Sequence, residues 1–312
     1  MDILTFSFNG VAPICLMVLL GMLLRKTGLI SQELANGMNK LCFQLFIPLK
    51  IFTQIASTDL TASVNMTTIL FSFFATLAVL ILLCLFAPRF LQGPRCGEFI
   101  QGVYRSNTAI LGLPLLANLY GESACTALAL AMPVLIIQYN TLSPIVLTHF
   151  AQGGKVRTKD MLLKIVSNPF LIAAVLGVIS AALQIRWPVF LEKTASGLSA
   201  VGTPLALTSL GAVTGMSDFR NSGKLAFSAG VLRLVLIPAV MLPLAALLGI
   251  RGEQMAAVVC FFCTPTAVGG YVLAKNLDGD GELAGQILLQ TTMLSFLTMF
   301  ATIAILRSLN LM

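Results

Sequence analysis

The sequence predicts an all-α integral membrane protein of ten transmembrane helices, arranged as two inverted five-helix repeats. Three observations predict it. Hydrophobic residues are 57% of the 312 residues, charged residues only 10%, and the mean hydropathy is +0.94. An ordinary soluble domain carries roughly 25% charged residues, so this chain cannot cover a globule of its size with polar surface. Ten apolar stretches follow one another, and at about 20 residues per membrane helix they leave no room for a soluble domain. The last five stretches echo the first five at a nearly constant offset. Because five is odd, the second copy enters the membrane from the opposite side, which makes the repeat inverted.

The first span, Phe8–Leu24, is closed by Arg25 and Lys26. The second, Leu41–Ser57, carries Pro48 and Lys50, and the third, Met66–Pro88, is uninterrupted. The fourth, Phe99–Tyr120, holds a polar cluster and Pro114; the fifth, Cys125–Phe150, runs into the polar stretch AQGGKVRTKD. The sixth is Ile165–Ile185, the seventh Val189–Val213 with Pro204, and the eighth Leu225–Leu248 with Arg233. The ninth, Met255–Lys275, is rich in Pro, Thr and Gly, and the tenth is Leu283–Ile305. Residues 1–150 form the first repeat, 151–164 a cytoplasmic linker and 165–312 the second repeat. Val18–Gly21 resembles Ala174–Gly177 at an offset of 156, Pro48 and Pro204 share that offset, and Asn118–Gly121 resembles Asn276–Gly279 at 158.

Charge sets the orientation. With the N-terminus outside, the cytoplasmic joints hold Arg25, Lys26, Lys40, Arg89, Arg95, Lys155, Arg157, Lys159, Lys164, Arg220, Lys224 and Lys275. The outer side holds Arg186, Lys193, Arg251 and Arg307. Twelve against four is a positive-inside bias, which puts both termini on the non-cytoplasmic side of the cell inner (plasma) membrane. The net charge of +7 therefore belongs to membrane topology; no basic patch or aromatic interleaving suggests nucleic acid. Seven cysteines, most within apolar runs, give no disulfide framework, and Cys260-x-x-Cys263 has no charged neighbours, so packing explains it better than redox or metal chemistry. The N-terminus lacks a basic segment before its apolar run and does not read as a cleaved signal peptide.

Backbone in hydrocarbon must satisfy its own hydrogen bonds, so Pro and Gly clusters inside a span are tolerated only beside protein or a water-filled cavity. The fourth span contains Arg105-Ser106-Asn107-Thr108, then Gly112 and Pro114; the ninth contains Thr264-Pro265-Thr266, then Gly269 and Gly270. Paired interruptions in two halves point to a transport site, and the N-terminus of a half-helix suits an anion. Arg105 is placed to hold a carboxylate bidentately. Lys50 either binds with it or snorkels, and Arg233 reads as structural pairing or snorkelling. Gln44, Gln54, Gln138, Asn140 and Gln290 read as helix bridges, and His149 as an interfacial side chain. No Asp or Glu falls in mid-membrane, which argues against a carboxylate relay; a coupling ion, H⁺ or Na⁺, stays open, and Na⁺ held by backbone carbonyls at a break is compatible with the sequence.

YRSNTAILGLPLLANLYG resembles the fourth-span signature, and FFCTPTAVGGYVLAKNLDGD the ninth-span signature, of the auxin efflux carrier family. VAPICLMVLLGMLLRKTGLIS, NKLCFQLFIPLKIF and VLRLVLIPAVMLPL resemble it too, so the resemblance covers nearly the whole chain. The chain departs at Lys50, where the family is usually apolar, and lacks the long cytoplasmic loop of the plant exporters, so it is similar to the bacterial malonate and malate permeases. The resemblance implies a scaffold of spans 1, 2, 6 and 7, a transport domain of spans 3–5 and 8–10, and crossing broken helices at spans 4 and 9. The substrate-binding set it implies, joined to the residue reading, is Arg105, Ser106, Asn107, Thr108, Gly112, Pro114, Thr264, Pro265, Thr266, Gly269, Gly270 and Lys50. The expected function is secondary transport of a small organic anion, a carboxylate, with a channel or receptor-like sensor as the alternative. An enzyme would need a clustered His, Cys or carboxylate constellation, and none is found; no cofactor or metal is expected, and the partners are the bilayer, the anion and a second copy in a homodimer.

Overall fold

The computed structural model describes residues 3–57, 66–152, 167, 169–214, 223–276 and 279–312. Among them every named element is a helix, and the only strand-like feature is an isolated antiparallel bridge between Ser106 and Thr266. The helices are α1 Ile3–Lys26, α2 Gln32–Leu41, α3 Ile47–Ala56, α4 Met66–Phe86, α5 Gly93–Tyr104, α6 Leu113–Tyr120 and α7 Cys125–Gln152. They continue as α8 Pro169–Ala182, α9 Val189–Thr214, α10 Lys224–Val231, α11 Ile237–Leu247, α12 Gly252–Phe262, α13 Val268–Asn276 and α14 Gly281–Ser308. Among the described residues, six stretches are long and apolar enough to cross a membrane: Ile3–Lys26, Met66–Arg89, Glu122–Ala151, Val189–Val213, Lys224–Leu247 and Gly281–Ser308. The fourth and ninth predicted spans fall short of that length because each is broken in the middle. The linker, apart from its first two residues, and the start of the sixth span lie outside the described residues, as do Leu277 and Asp278 of the repeat match.

Among the described residues, three π-turns interrupt helices, at Cys42–Phe46, Thr108–Gly112 and Leu232–Leu236. Each is followed, after one residue, by a proline: Pro48, Pro114 and Pro238. The cause is steric. Proline has no N–H and its ring strikes the carbonyl four residues back, and a wider turn moves that carbonyl aside. The bonds Ile47 N–H to Cys42 O, Leu113 N–H to Thr108 O and Ile237 N–H to Leu232 O close these wider turns.

The second helix differs from expectation. It starts at Gln32 rather than Leu41, capped by Ser31, whose hydroxyl accepts from Leu34 N–H (3.1 Å). The first turns, QELANGMNKL, are polar and amphipathic, so apolarity alone could not find their start. Lys50 accordingly lies within the last two turns of this helix rather than at its middle.

Packing separates an inner from an outer set. Every side chain from Met255 to Cys263 is buried, and so is every one from Cys96 to Tyr104. Helices buried all round lie at the centre of a protein, so the two broken helices form the core. The outer helices turn large apolar side chains outward, such as Leu16, Phe74, Val189 and Leu247, the surface a bilayer covers. Helix α1 packs along α9, and α3 along α8. Small residues allow the first approach: a Cβ on Gly21 would fall on the Thr208 carbonyl oxygen, and one on Gly211 on the Val18 carbonyl oxygen. At the second, a Cβ on Gly177 would stand 2.9 Å from Ile55 Cβ and 3.2 Å from the Phe52 carbonyl oxygen.

Backbone atoms cannot rotate out of the way as side chains can, so Gly211→Ala should force α1 and α9 apart. Overpacking of this kind destabilises by about 1–3 kcal/mol. On the same helix Gly197 meets nothing within 4 Å, so Gly197→Ala should be neutral or stabilising, by up to about 1 kcal/mol. Thermal unfolding of the detergent-purified variants checks the pair, with a clearly lowered midpoint expected for the first alone.

Candidate functional site

The site is where two helices stop. Helix α5 ends as Arg105 turns extended (φ −84°, ψ 122°), and the chain resumes helical form at Thr108. Helix α12 ends near Cys263, because the residue before Pro265 is disfavoured in helix, and resumes at Val268. The two interruptions meet. Asn107 N–H donates to the Pro265 carbonyl (2.9 Å), within the antiparallel bridge between Ser106 and Thr266. Helix α14 ties down the second strand of this crossing, since Thr266 N–H donates to Thr291 Oγ1 (3.2 Å).

Breaking two helices leaves carbonyls at the ends of α5 and α12 without helical partners. Arg233, only 1% exposed, meets them. Its Nε donates to Thr264 O (3.0 Å), Nη2 to Phe261 O (2.7 Å), and Nη1 to Val103 O and Tyr104 O (both 3.3 Å). One guanidinium thus binds the ends of both half-helices. It stands on the π-turn between α10 and α11.

The hydroxyls of the crossing satisfy one another. Ser106 Oγ shares hydrogen bonds with Thr108 Oγ1 (2.8 Å) and Tyr139 OH (2.9 Å), and Tyr104 OH with Ser143 Oγ (3.1 Å). Thr108 and Thr264 both donate to Cys260 O (3.2 and 2.8 Å). Gly112 permits close contact with α12: a Cβ there would lie 2.9 Å from Cys260 Cβ, and the Cys260 thiol donates to Gly112 O (3.2 Å).

Polar capacity remains around this framework. Among the described residues, Asn107 Nδ2, both amide atoms of Gln138 and Gln290 Oε1 are buried without a hydrogen-bond partner. Gln138 adjoins Tyr139 and Gln290 adjoins Thr291, and both neighbours touch a break. Arg105 projects toward α13: a Cβ on Gly269 would be 3.2 Å from its Nη2. Gly270 is as close to α5, since Gln101 Nε2 donates to Gly270 O (2.9 Å). The two glycines therefore leave room for the side chains of Arg105 and Gln101.

The structure brings together Arg105, Ser106, Asn107, Thr108, Gly112, Thr264, Pro265, Thr266, Gly269 and Gly270. Pro114 stands one turn beyond, shaping the π-turn. Lys50 stands apart, its ammonium held by Glu122 (3.2 Å) and Thr203 Oγ1 (3.4 Å). Sequence reasoning missed Gln101, Tyr139 and Thr291, which touch the breaks from neighbouring turns, and Glu98, which it placed one residue outside the fourth span. Helix α5 begins earlier, at Gly93, and Glu98 is buried on it at 1% exposure.

Residues 6–303 match the family model described as membrane transport protein. An uncharacterized transporter of Methanothermobacter thermautotrophicus is 25% identical over 94% of this chain and 96% of its own length. The uncharacterized transporter YfdV of Escherichia coli K12 is 23% identical over 91% of this chain and 94% of its own. Auxin efflux carrier component 8 of Arabidopsis thaliana is 25% identical over 88% of this chain and 90% of its own.

Replacing Arg233 by Met keeps the bulk and removes every donor, which orphans four buried carbonyls at about 1–3 kcal/mol each. The variant should lose at least ~3 kcal/mol of stability. Arg233→Lys, a point charge on a stem, cannot span both helix ends and should recover only part of the loss. Size-exclusion after a heating series measures both against the unaltered protein.

Proposed function

Because the chain belongs to the membrane transport protein family, that of the auxin efflux carriers, we propose that this multi-pass membrane transporter carries a small organic anion, a carboxylate, by alternating access. The observation that carries the reading is the crossing itself, where Asn107 N–H meets the Pro265 carbonyl (2.9 Å) beside the Arg105 guanidinium. Two half-helices start there, at Thr108 and Val268, and a helix start presents N–H groups and partial positive charge to an anion. Arg105 adds a full charge with a planar fork matched to a carboxylate. Asn107 Nδ2, buried and unpartnered, supplies a further donor. Ser106, Thr108, Gly112, Pro114, Thr264, Thr266, Gly269 and Gly270 shape and hold the crossing.

The architecture we propose is ten spans in two inverted five-helix repeats, both termini outside the cytoplasm, with spans 1, 2, 6 and 7 as the scaffold. Two contacts support it. Gly177 follows Gly21 by 156 residues, and Thr208 follows Phe52 by 156, so the contacts of α1 on α9 and of α8 on α3 are equivalent with the copies exchanged. Pro265 follows Asn107 by 158, the offset of the fourth and ninth spans, so the bridge joins equivalent positions. Lys50 joins the proposal as a second cation. It sits on the scaffold side while Glu122 follows the broken fourth span, so a substrate carboxylate that draws Lys50 from Glu122 also loosens the transport domain.

Purified protein in proteoliposomes, given a panel of mono- and dicarboxylates, tests this. We expect saturable uptake that accelerates when unlabelled substrate is loaded inside. Arg105→Ala should raise KM about tenfold or more, since hydrogen bonds to a charged group are worth about 1.5–3 kcal/mol. Wild-type kinetics in both Arg105→Ala and Asn107→Ala would rule the site out; unsaturable flux without counter-transport would indicate a channel, and binding without flux a sensor.

A further inference from the structure

Glu98 is a carboxylate in the wrong place for a purely structural role. It lies on the sixth residue of α5, 1% exposed, and among the described residues no cation forms an ion pair with it. Its oxygens accept from Gln101 Nε2 (2.9 and 3.2 Å), and the same nitrogen donates to Gly270 O (2.9 Å) on α13. The carboxylate is thus linked, through one amide, to the half-helix that starts at the crossing. The other end of that amide, Gln101 Oε1, is buried and has no donor.

We propose that Glu98 is a reversible proton-binding site that couples proton movement to the substrate cycle, which rests on the transporter reading above. A buried charge without a paired cation is expensive to carry through a low-dielectric interior. Taking up one proton turns the carboxylate into a neutral acid, with no other bond made or broken. The acid O–H then supplies the donor that Gln101 Oε1 lacks, once the amide turns over. That turn takes Nε2 away from Gly270 O and frees the start of α13 from α5. Proton loss restores the bridge. The change at Glu98 therefore reaches the crossing through three named atoms.

The surroundings fit a site fed from one edge. Arg105 lies two turns further along α5, at the crossing. Asp280, at the head of α14, is paired with Arg95 (3.2 Å), about three turns short of the crossing and near the helix start. Glu282 takes a bond from Gln286. The other helices packed on α5 bring Tyr139, bonded to Ser106, exposed His149 against Phe150, Cys84, exposed Lys224 and Tyr271; Arg233 between α10 and α11 is taken up by carbonyls.

Two measurements on the purified full chain test the proposal. Infrared difference spectra across an acid–base titration should show a protonated-carboxyl band that Glu98→Gln lacks. In proteoliposomes, an imposed pH gradient should drive carboxylate accumulation in the wild type but not in Glu98→Gln, while exchange of labelled for unlabelled substrate persists in both. Gln101→Met keeps the carboxyl group and cuts the bridge, so it should retain the band and lose at least half of the gradient-driven accumulation. Identical spectra for wild type and Glu98→Gln overturn the proposal, and so does gradient-driven accumulation of equal size in both. A band specific to Glu98 in a protein that moves none of the carboxylates supports the proton site and rejects the carboxylate reading instead.

Discussion

The fold hangs on what Arg233 does with its five N–H groups. A broken helix inside a membrane exposes carbonyls that water cannot reach, and two breaks set against each other double the demand. Arg233 answers both ends at once, with bonds to Val103, Tyr104, Phe261 and Thr264. Placing the cation in the membrane costs about 2.5–3.5 kcal/mol on insertion scales. Four bonds from a charged donor, at about 1.5–3 kcal/mol each, outweigh that. Arg233 gives the ends of α5 and α12 a shared anchor, added to the ties that Asn107 makes with Pro265, Thr108 with Cys260 and Gln101 with Gly270.

The prolines set where such anchors can stand. Pro238 makes the π-turn that carries Arg233, Pro114 the one that opens the second half of the broken fourth span, and Pro48 the one that bends the helix bearing Lys50. A π-turn shifts the register of the following helix and re-aims its side chains, which is why such turns gather at functional sites. Pro204, by contrast, sits inside α9 with the helix running through it. Proline in a span is therefore not one signal but two. Pro13 in α1 and Pro243 in α11 are likewise carried inside their helices.

Much of this was legible beforehand because hydrophobicity and backbone rules are local. The long apolar spans, the two interruptions and their meeting all follow from composition, Pro and Gly, and the pairing of halves. The misses share one cause. Gln32–Lys40 is helical because Ser31 caps it and its thin apolar face packs, which a search for apolar runs passes over. Glu98 looked like a boundary residue because charge usually marks one; tertiary packing buried it. Arg233 was read as structural, and its partners explain why no motif announced it: they are backbone carbonyls, which every residue possesses. The role of a side chain that bonds only to backbone is written in the topology, not in a pattern of residue types.

That use of Arg233 bears on the sign of the cargo. Each half-helix has a negative end and a positive end. At the crossing the negative ends, those of α5 and α12, converge on Arg233 and are offset by it. The positive ends, at Thr108 and Val268, converge on the same place with no comparable carboxylate among the crossing residues, and Arg105 stands beside Gly269 to reinforce them. A cation entering here would face like charge from two helix starts and a guanidinium. An anion would complete what the fold leaves open. On the anion reading proposed above, the interaction that stabilises the crossing would also make it selective: by neutralising one pair of helix ends, Arg233 would leave the other pair to govern what binds.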